Sequence, residues 1–103
     1  MSTQPFRIEL ADDHHIVGDS HDGRGPTYVF LHGLGSVRTG EKSESLRNHA
    51  AGRGQGFLRF DLRGHGASSG KLGCITVSEL IADTVRVLER TGPAIVVGSS
   101  LGG

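Results

Sequence analysis

Several features that would assign a chain to a particular class of protein are missing from these 103 residues. The 11 basic side chains are balanced by 11 acidic ones, so the formal charge is zero and no basic stripe indicates binding to nucleic acid or to anionic lipid. No apolar run approaches the roughly 18 residues that cross a membrane, and residues 1–10 lack a targeting pattern. We therefore expect a cytoplasmic protein without a membrane span.

Cysteine occurs only once, at position 74. Cys74 cannot form an internal disulfide, which suits a reducing compartment. Because no histidine flanks it, we expect it to be buried as a small apolar residue rather than to react. Glycine, in contrast, occurs 17 times and falls singly at the ends of apolar runs, so it marks turns rather than a disordered tract.

The apolar pattern predicts an order of strands and helices. Alternation at residues 6–10 and a second apolar stretch at 14–17 predict an antiparallel hairpin at a sheet edge, and turn residues follow at 21–26. Three further apolar runs predict parallel strands separated by helices: strands at 27–31, 57–60 and 94–97, helices at 39–53 and 77–91. The predicted fold class is α/β, with an antiparallel edge hairpin followed by three parallel strands with crossover helices.

The two predicted helices are marked differently in the sequence. The first has a thin apolar stripe of Leu46, Ala50 and Ala51. The second begins with a capping box formed by Thr76 and Glu79. Its residues at helical spacing are Val77, Leu80, Ile81, Thr84, Val87 and Leu88.

The pentapeptide at residues 98–102 (GSSLG) directly follows the last apolar strand. A sharp turn from a strand into a helix lifts the central serine to the carboxyl edge of a sheet, and small residues on either side let the backbone approach. Those small residues are Gly98 and Gly102. Ser100 is therefore the candidate nucleophile, and the Leu101 N–H would point at the reacting carbonyl oxygen.

A second loop, residues 32–36 (HGLGS), begins with His32 and follows the first of the three parallel strands. It would emerge at the same edge as the candidate nucleophile. Gly33 lets the chain turn and directs the Leu34 N–H at the oxygen that becomes negative when a serine attacks a carbonyl. Leu34 and Leu101 would act through their backbones, and the presence of both loops favours catalysis over a chance pentapeptide.

Other polar residues near this edge are assigned structural roles. Asp61 and Arg63 follow the second parallel strand and are expected to pair and brace the loop, while His65 is expected to hydrogen-bond backbone there. We expect the Ser99 side chain to hydrogen-bond locally rather than to attack. The remaining histidines at positions 14, 15, 21 and 49 are isolated and expected to be solvated, and no ligand spacing predicts a metal site.

Three segments together resemble the amino-terminal half of the alpha/beta-hydrolase superfamily. They are residues 32–36 (HGLGS), 60–68 (FDLRGHGAS) and 98–103 (GSSLGG). Residues 97–103 (VGSSLGG), with residues 36–42 (SVRTGEK), are similar to the depalmitoylase and acyl-glucuronide esterase branch of that superfamily. The resemblance covers the whole chain.

The resemblance implies a serine hydrolase that acts on small acyl esters or thioesters, without a cofactor. It implies Ser100 as nucleophile, the Leu34 and Leu101 amides as the oxyanion hole, and an acidic residue and a histidine from later strands and loops. Residues 1–103 are then expected to be the N-terminal portion of a single domain that stops just after the nucleophile turn. Without a base beside its hydroxyl a serine is a weak nucleophile, so the chain by itself is expected to be inactive or nearly so.

Two other functions remain open at this point. A hydrolase-like module could use the same pocket to bind a ligand without catalysis. A dinucleotide-binding protein is suggested by Gly33 and Gly35 after one strand and Asp61 at the end of the next. Against this alternative, the position of the third glycine of such a fingerprint holds Arg38.

Overall fold

The computed structural model describes residues 3–99, apart from the side chain of Asp12. Its strands are β1 (Gln4–Glu9), β2 (His15–His21), β3 (Arg24–Leu31), β4 (Gln55–Phe60) and β5 (Ala94–Gly98). Its helices are α1 (Glu41–Gly52) and α2 (Val77–Leu88), and short 3-10 turns lie at Ala11–Asp13 and Leu72–Cys74. No helix within the described residues is long and apolar enough to cross a membrane.

The five strands form one mixed sheet in the order β1-β2-β4-β3-β5. The hairpin strand β2 pairs antiparallel with β1 and with β4, whereas β3 pairs parallel with both β4 and β5. This topology confirms the predicted α/β fold with an antiparallel edge hairpin and three parallel strands.

The turn predicted at residues 21–26 is present but shorter than predicted, because both flanking strands extend into it. Only Asp22 and Gly23 separate β2 from β3. The reason is the close approach to the start of β4: the Arg24 N–H donates to the Gly54 carbonyl over 2.8 Å. A Cβ atom at Gly23 would lie 2.5 Å from the Gln55 carbonyl carbon, so this connection requires glycine.

Each face of the sheet is covered by one helix. The face under α2 has its core in residues Ile8, Ile16, Val29, Leu58, Phe60, Leu62 and Val87. The face under α1 has a smaller core of Phe30, Ala50 and Phe57, with Tyr28 and Leu46 packed against it. All six residues of β4 are buried, as expected for an inner strand with both faces covered.

The sequence pattern of α2 is confirmed at its start and only partly along its length. Glu79 N–H donates to the Thr76 hydroxyl over 3.2 Å, and Thr76 N–H donates to the Glu79 carboxylate over 2.9 Å, which completes the predicted capping box. Val77 and Ile81 are exposed, although they share the predicted apolar spacing. The helix instead directs Asp83 inward, and the Asp83 carboxylate binds Arg63.

The last strand lies at an edge of the sheet. Within residues 3–99, β5 pairs only with β3. Its apolar residues Ile95, Val96 and Val97 are between 36% and 44% exposed. An open edge and an exposed apolar face are typical of a strand without a further neighbour.

Candidate active site

The three parallel strands bring their following loops to one edge of the sheet. β3 leads into His32, β4 leads into Asp61, and β5 leads into Ser99. The Ser99 N–H donates to the Leu31 carbonyl over 3.0 Å, which continues the β3–β5 pairing to the end of the described residues. The predicted nucleophile Ser100, with Leu101 and Gly102, lies outside the described residues, whereas Gly98 is the last residue of β5.

Within residues 3–99, the partner of the Ser99 side chain is distant in sequence. Its hydroxyl accepts a hydrogen bond from the Lys42 ammonium of α1 over 3.3 Å. A hollow of about 290 Å³ lies between this pair and the loop after β3. Its lining includes Phe30, His32, Gly33, Thr39, Ser43 and Ser99. Within residues 3–99, the carboxyl edge therefore has an open hollow beside the residue that precedes Ser100.

The loop predicted to supply an oxyanion amide is a tight turn. Gly33 is buried, and its carbonyl accepts the Ser36 N–H over 3.0 Å. Gly35 adopts a φ of 82°, which favours glycine. Leu34 is 50% exposed, and its N–H has no acceptor within residues 3–99. A free N–H at this edge is what an oxyanion hole requires.

Two buried histidines connect this loop with the loop after β4. His32 Nε2 accepts the Leu62 N–H over 2.9 Å, and His65 Nε2 accepts the Gly35 N–H over 2.8 Å. The centroids of the two rings are 4.9 Å apart. The sequence predicted a hydrogen bond between His65 and the backbone. It did not predict that each histidine binds an N–H group of the opposite loop, because this depends on the spacing of two strands.

The second nitrogen of each ring fixes its tautomer. His32 Nδ1 lies 2.7 Å from the Gly33 carbonyl, and His65 Nδ1 lies 3.0 Å from the Arg63 carbonyl. A carbonyl only accepts, and each Nε2 atom faces an N–H donor, so these hydrogen bonds require the tautomer with a proton on Nδ1 alone. Burial lowers the pKa of His32, the neighbouring His65 lowers it further, and the Gly33 carbonyl and Asp61 oppose that shift only in part.

Asp61 does not pair with Arg63, so that prediction is wrong. Its carboxylate accepts the backbone N–H of Arg38 over 2.8 Å, binds the Arg38 guanidinium, and accepts the Ala67 N–H over 3.0 Å. Arg38 belongs to the chain between β3 and α1, which runs closer to this carboxylate than Arg63 does. Asp61 therefore joins the two loops at the carboxyl edge to each other.

Arg63 turns the other way and binds helix α2. Its guanidinium donates to both carboxylate oxygens of Asp83, over 2.9 and 3.0 Å, and to Glu79 over 2.9 Å. Asp83 is 3% exposed, so this bidentate pair explains why a charged residue of α2 faces inward. Arg63 braces its loop as predicted, but against α2 rather than against Asp61.

Arg38 also reaches the hairpin. It donates to Asp19 of β2 over 2.8 Å, and Asp19 is also bound by the buried Arg59 over 3.0 Å. Burial would raise the pKa of Asp19, but hydrogen bonds from Thr3 and Arg38 and the charge of Arg59 outweigh it and hold the pKa below its usual value. Arg38 is likewise kept charged, because Asp19 and Asp61 outweigh the effect of burial and raise its pKa.

Two further predictions about single residues are wrong. His21 is buried rather than solvated, with its Nε2 atom 3.1 Å from the Gln55 carbonyl and its ring against Phe57. Cys74 is exposed, because the 3-10 turn that contains it lies on the surface. No group of three or more metal-ligating side chains is found within residues 3–99.

An α/β sheet with a glycine loop after one parallel strand and a G-x-S-x-G sequence after the next but one is typical of the class of α/β hydrolases. A family model described as "Alpha/beta hydrolase family" matches residues 28–103. The chain belongs to this family.

Particular proteins resemble the chain over most of its length. Palmitoyl-protein thioesterase ABHD10, mitochondrial, from Rattus norvegicus is 36% identical over 83 residues, which are 79% of this chain and 28% of the relative. The solved structure of α/β hydrolase domain-containing protein 10 from mouse has a TM-score of 0.88 and 30% identity, over 99% of this chain and 41% of that one. An esterase of Pyrococcus furiosus has a TM-score of 0.80 and 28% identity, over 98% of this chain and 41% of that one. The chain thus spans less than a third of the length of its curated relatives.

Proposed function

We propose that the protein is a serine hydrolase that cleaves ester or thioester bonds through an acyl-enzyme on Ser100. The main observation in support is the pairing of β5 with β3 up to the Ser99–Leu31 hydrogen bond. It brings the residue before the nucleophile beside the turn at residues 32–36, where the Leu34 N–H has no acceptor among the described residues. A nucleophile and an oxyanion donor are thereby expected on neighbouring strands.

The proposed reaction has two steps. The Ser100 hydroxyl attacks the acyl carbon, the negative carbonyl oxygen is held by the Leu34 and Leu101 amides, and the alcohol or thiol leaves with a proton. Water then attacks the acyl-enzyme and releases the acid. The base is neither His32 nor His65, because both ring nitrogens of each are engaged by backbone groups. We expect the triad histidine and acid from residues after 103, so the chain by itself would have little or no activity.

Fatty acyl thioesters are the substrates favoured by the comparisons. The mammalian relatives are named palmitoyl-protein thioesterases, and we extend thioester cleavage to this protein on that ground. The same names include the word mitochondrial, so a cytoplasmic location stays a prediction for this chain. The dinucleotide alternative is disfavoured, because Arg38 and Ala67 occupy the Asp61 carboxylate that would have to bind a ribose.

Labelling with a fluorophosphonate probe tests the proposal on the full-length protein. We expect the wild type and Ser99→Ala to be labelled and to hydrolyse a palmitoyl thioester, and Ser100→Ala to do neither. Ser99→Ala is the matched control, since it removes the adjacent hydroxyl. Labelling or turnover that survives in Ser100→Ala would overturn the assignment. A wild type that binds acyl thioesters without being labelled would favour the non-catalytic module.

A further inference from the structure

The peptide group that joins Gly33 to Leu34 is held from its carbonyl side. The Gly33 carbonyl accepts from His32 Nδ1 over 2.7 Å and from the Ser36 N–H over 3.0 Å. This peptide is trans and planar, so its N–H points opposite to its C=O. A donor that fixes the Gly33 oxygen therefore also fixes the direction of the Leu34 N–H.

The next peptide group is held from its N–H side. The Gly35 N–H donates to His65 Nε2 over 2.8 Å, and the same ring is anchored to its own loop through the Arg63 carbonyl over 3.0 Å. His32 links the same two loops from the other side: its Nδ1 atom binds its own loop, and its Nε2 atom accepts the Leu62 N–H of the opposite loop. Two successive peptides around Leu34 are thus each bound by one buried imidazole.

We propose that His32 and His65 are positioning residues that act as a pair: they hold the Leu34 N–H in the direction required to bind the developing oxyanion. This inference rests on the proposed function, in which Leu34 supplies that N–H. The two rings contact each other and are 1% and 5% exposed, so neither can turn without displacing the other. The paired arrangement requires both rings to be neutral, since a proton on either Nε2 would face an N–H group instead of accepting from it.

The charged groups around the pair are few and already bound. His32 contacts the His65 ring, and the negative charge of Asp61 interacts with it electrostatically. The Asp61 carboxylate is itself bound by Arg38 and by the Ala67 N–H. Neither ring has a carboxylate at hydrogen-bonding distance within residues 3–99, so no carboxylate there would accept a hydrogen bond from a second ring proton.

The first test needs no activity. Nitrogen NMR of the imidazole groups in the full-length protein, near neutral pH, reports which ring nitrogen has the proton. We expect both His32 and His65 in the Nδ1–H form, assigned by loss of each signal in His32→Gln and His65→Gln. A proton on Nε2 of either ring would overturn the inference.

The second test separates positioning from simple bracing. His32→Asn retains an N–H near the Nδ1 position and can still bind the Gly33 carbonyl, whereas His32→Gln retains an acceptor near Nε2 and can bind only the Leu62 N–H. Positioning predicts that the Gln variant has the lower kcat by about tenfold or more, with KM changed little, since small misplacement of a catalytic group is costly. Bracing alone predicts that the Asn variant is the more damaged, and that result would overturn the inference.

His65 gives the matching comparison on the other side of Leu34. His65→Gln keeps an acceptor for the Gly35 N–H and should lose less kcat than His65→Leu, which keeps none. His49→Gln, on the exposed surface of α1, is the control and should match the wild type. If the wild type is not labelled at Ser100, the proposed function fails while the tautomer result still stands. If it is labelled but the paired variants do not differ, only the present inference fails.

Discussion

The loops after β3 and β4 and the outer surfaces of β5 and α2 are built in opposite ways. The loops are closed by buried polar groups: His32, Asp61 and His65 are each no more than 5% exposed. The surfaces of β5 and α2 instead expose apolar side chains, namely Val77, Ile81, Val85, Ile95, Val96 and Val97. The part of the candidate site that holds the predicted oxyanion amide is therefore fixed within residues 3–99, whereas the strand leading to Ser100 has one partner strand there.

The largest effect should come from removing a buried charge between the loops. Asp61→Ala leaves two backbone N–H groups without their acceptor and leaves the Arg38 guanidinium with Asp19 as its remaining carboxylate. Because a buried donor without an acceptor costs about 1–3 kcal/mol, we expect the free energy of unfolding to fall by about 3 kcal/mol or more. Urea denaturation of the full chain measures this. Glu9→Ala, which breaks the exposed pair with Arg7, is the control and should change little. Equal effects of the two variants would contradict the comparison.

A smaller loss should follow from crowding the same carboxylate. A Cβ atom at Gly66 would overlap the Asp61 carboxyl group, and the φ of 49° there is unfavourable for other residues. We expect Gly66→Ala to lower the free energy of unfolding by about 1–3 kcal/mol. Gly73→Ala is the control, since a Cβ there has no heavy atom within 4 Å. Unchanged stability of Gly66→Ala would show that the loops are looser than their hydrogen bonds indicate.

The features that the sequence predicted depend on local patterns, whereas the features that it missed depend on distances between segments in space. The strands, the capping box at Thr76 and the loop at residues 32–36 depend on local patterns, and all were found in the sequence. The partners of Asp61 and Arg63 depend on how far apart two loops and a helix lie in space, so proximity in sequence suggested the wrong pair. Cys74 was misjudged for a related reason, because burial depends on where its turn lies.

Exposed and buried valines of α2 allow a matched substitution. Val87 is fully buried in the core, whereas Val85 is 54% exposed. Val87→Ala should lower the free energy of unfolding by about 2 kcal/mol through lost burial and the cavity it leaves. Val85→Ala should change it by about 0.5 kcal/mol or less. Thermal or urea denaturation checks both. A comparable loss in Val85→Ala would mean that the outer face of α2 is covered in the full protein.

The smallest effect is a dependence of stability on pH that arises in the loops. Burial lowers the pKa of His32 in the fold, so below its ordinary value of about 6.5 the unfolded chain takes up a proton that the folded chain does not. The free energy of unfolding should therefore fall as the pH drops from about 7.5 to about 5.5, and this part of the fall should disappear in His32→Gln. Asp19, whose pKa is also lowered, loses its contribution only at more acidic pH, so it does not interfere in this range. Asn48→Gln, an exposed change on α1 that involves no titratable group, should retain the wild-type dependence. A His32→Gln protein with the same slope as the wild type would show that the buried ring can be protonated without disturbing the two loops.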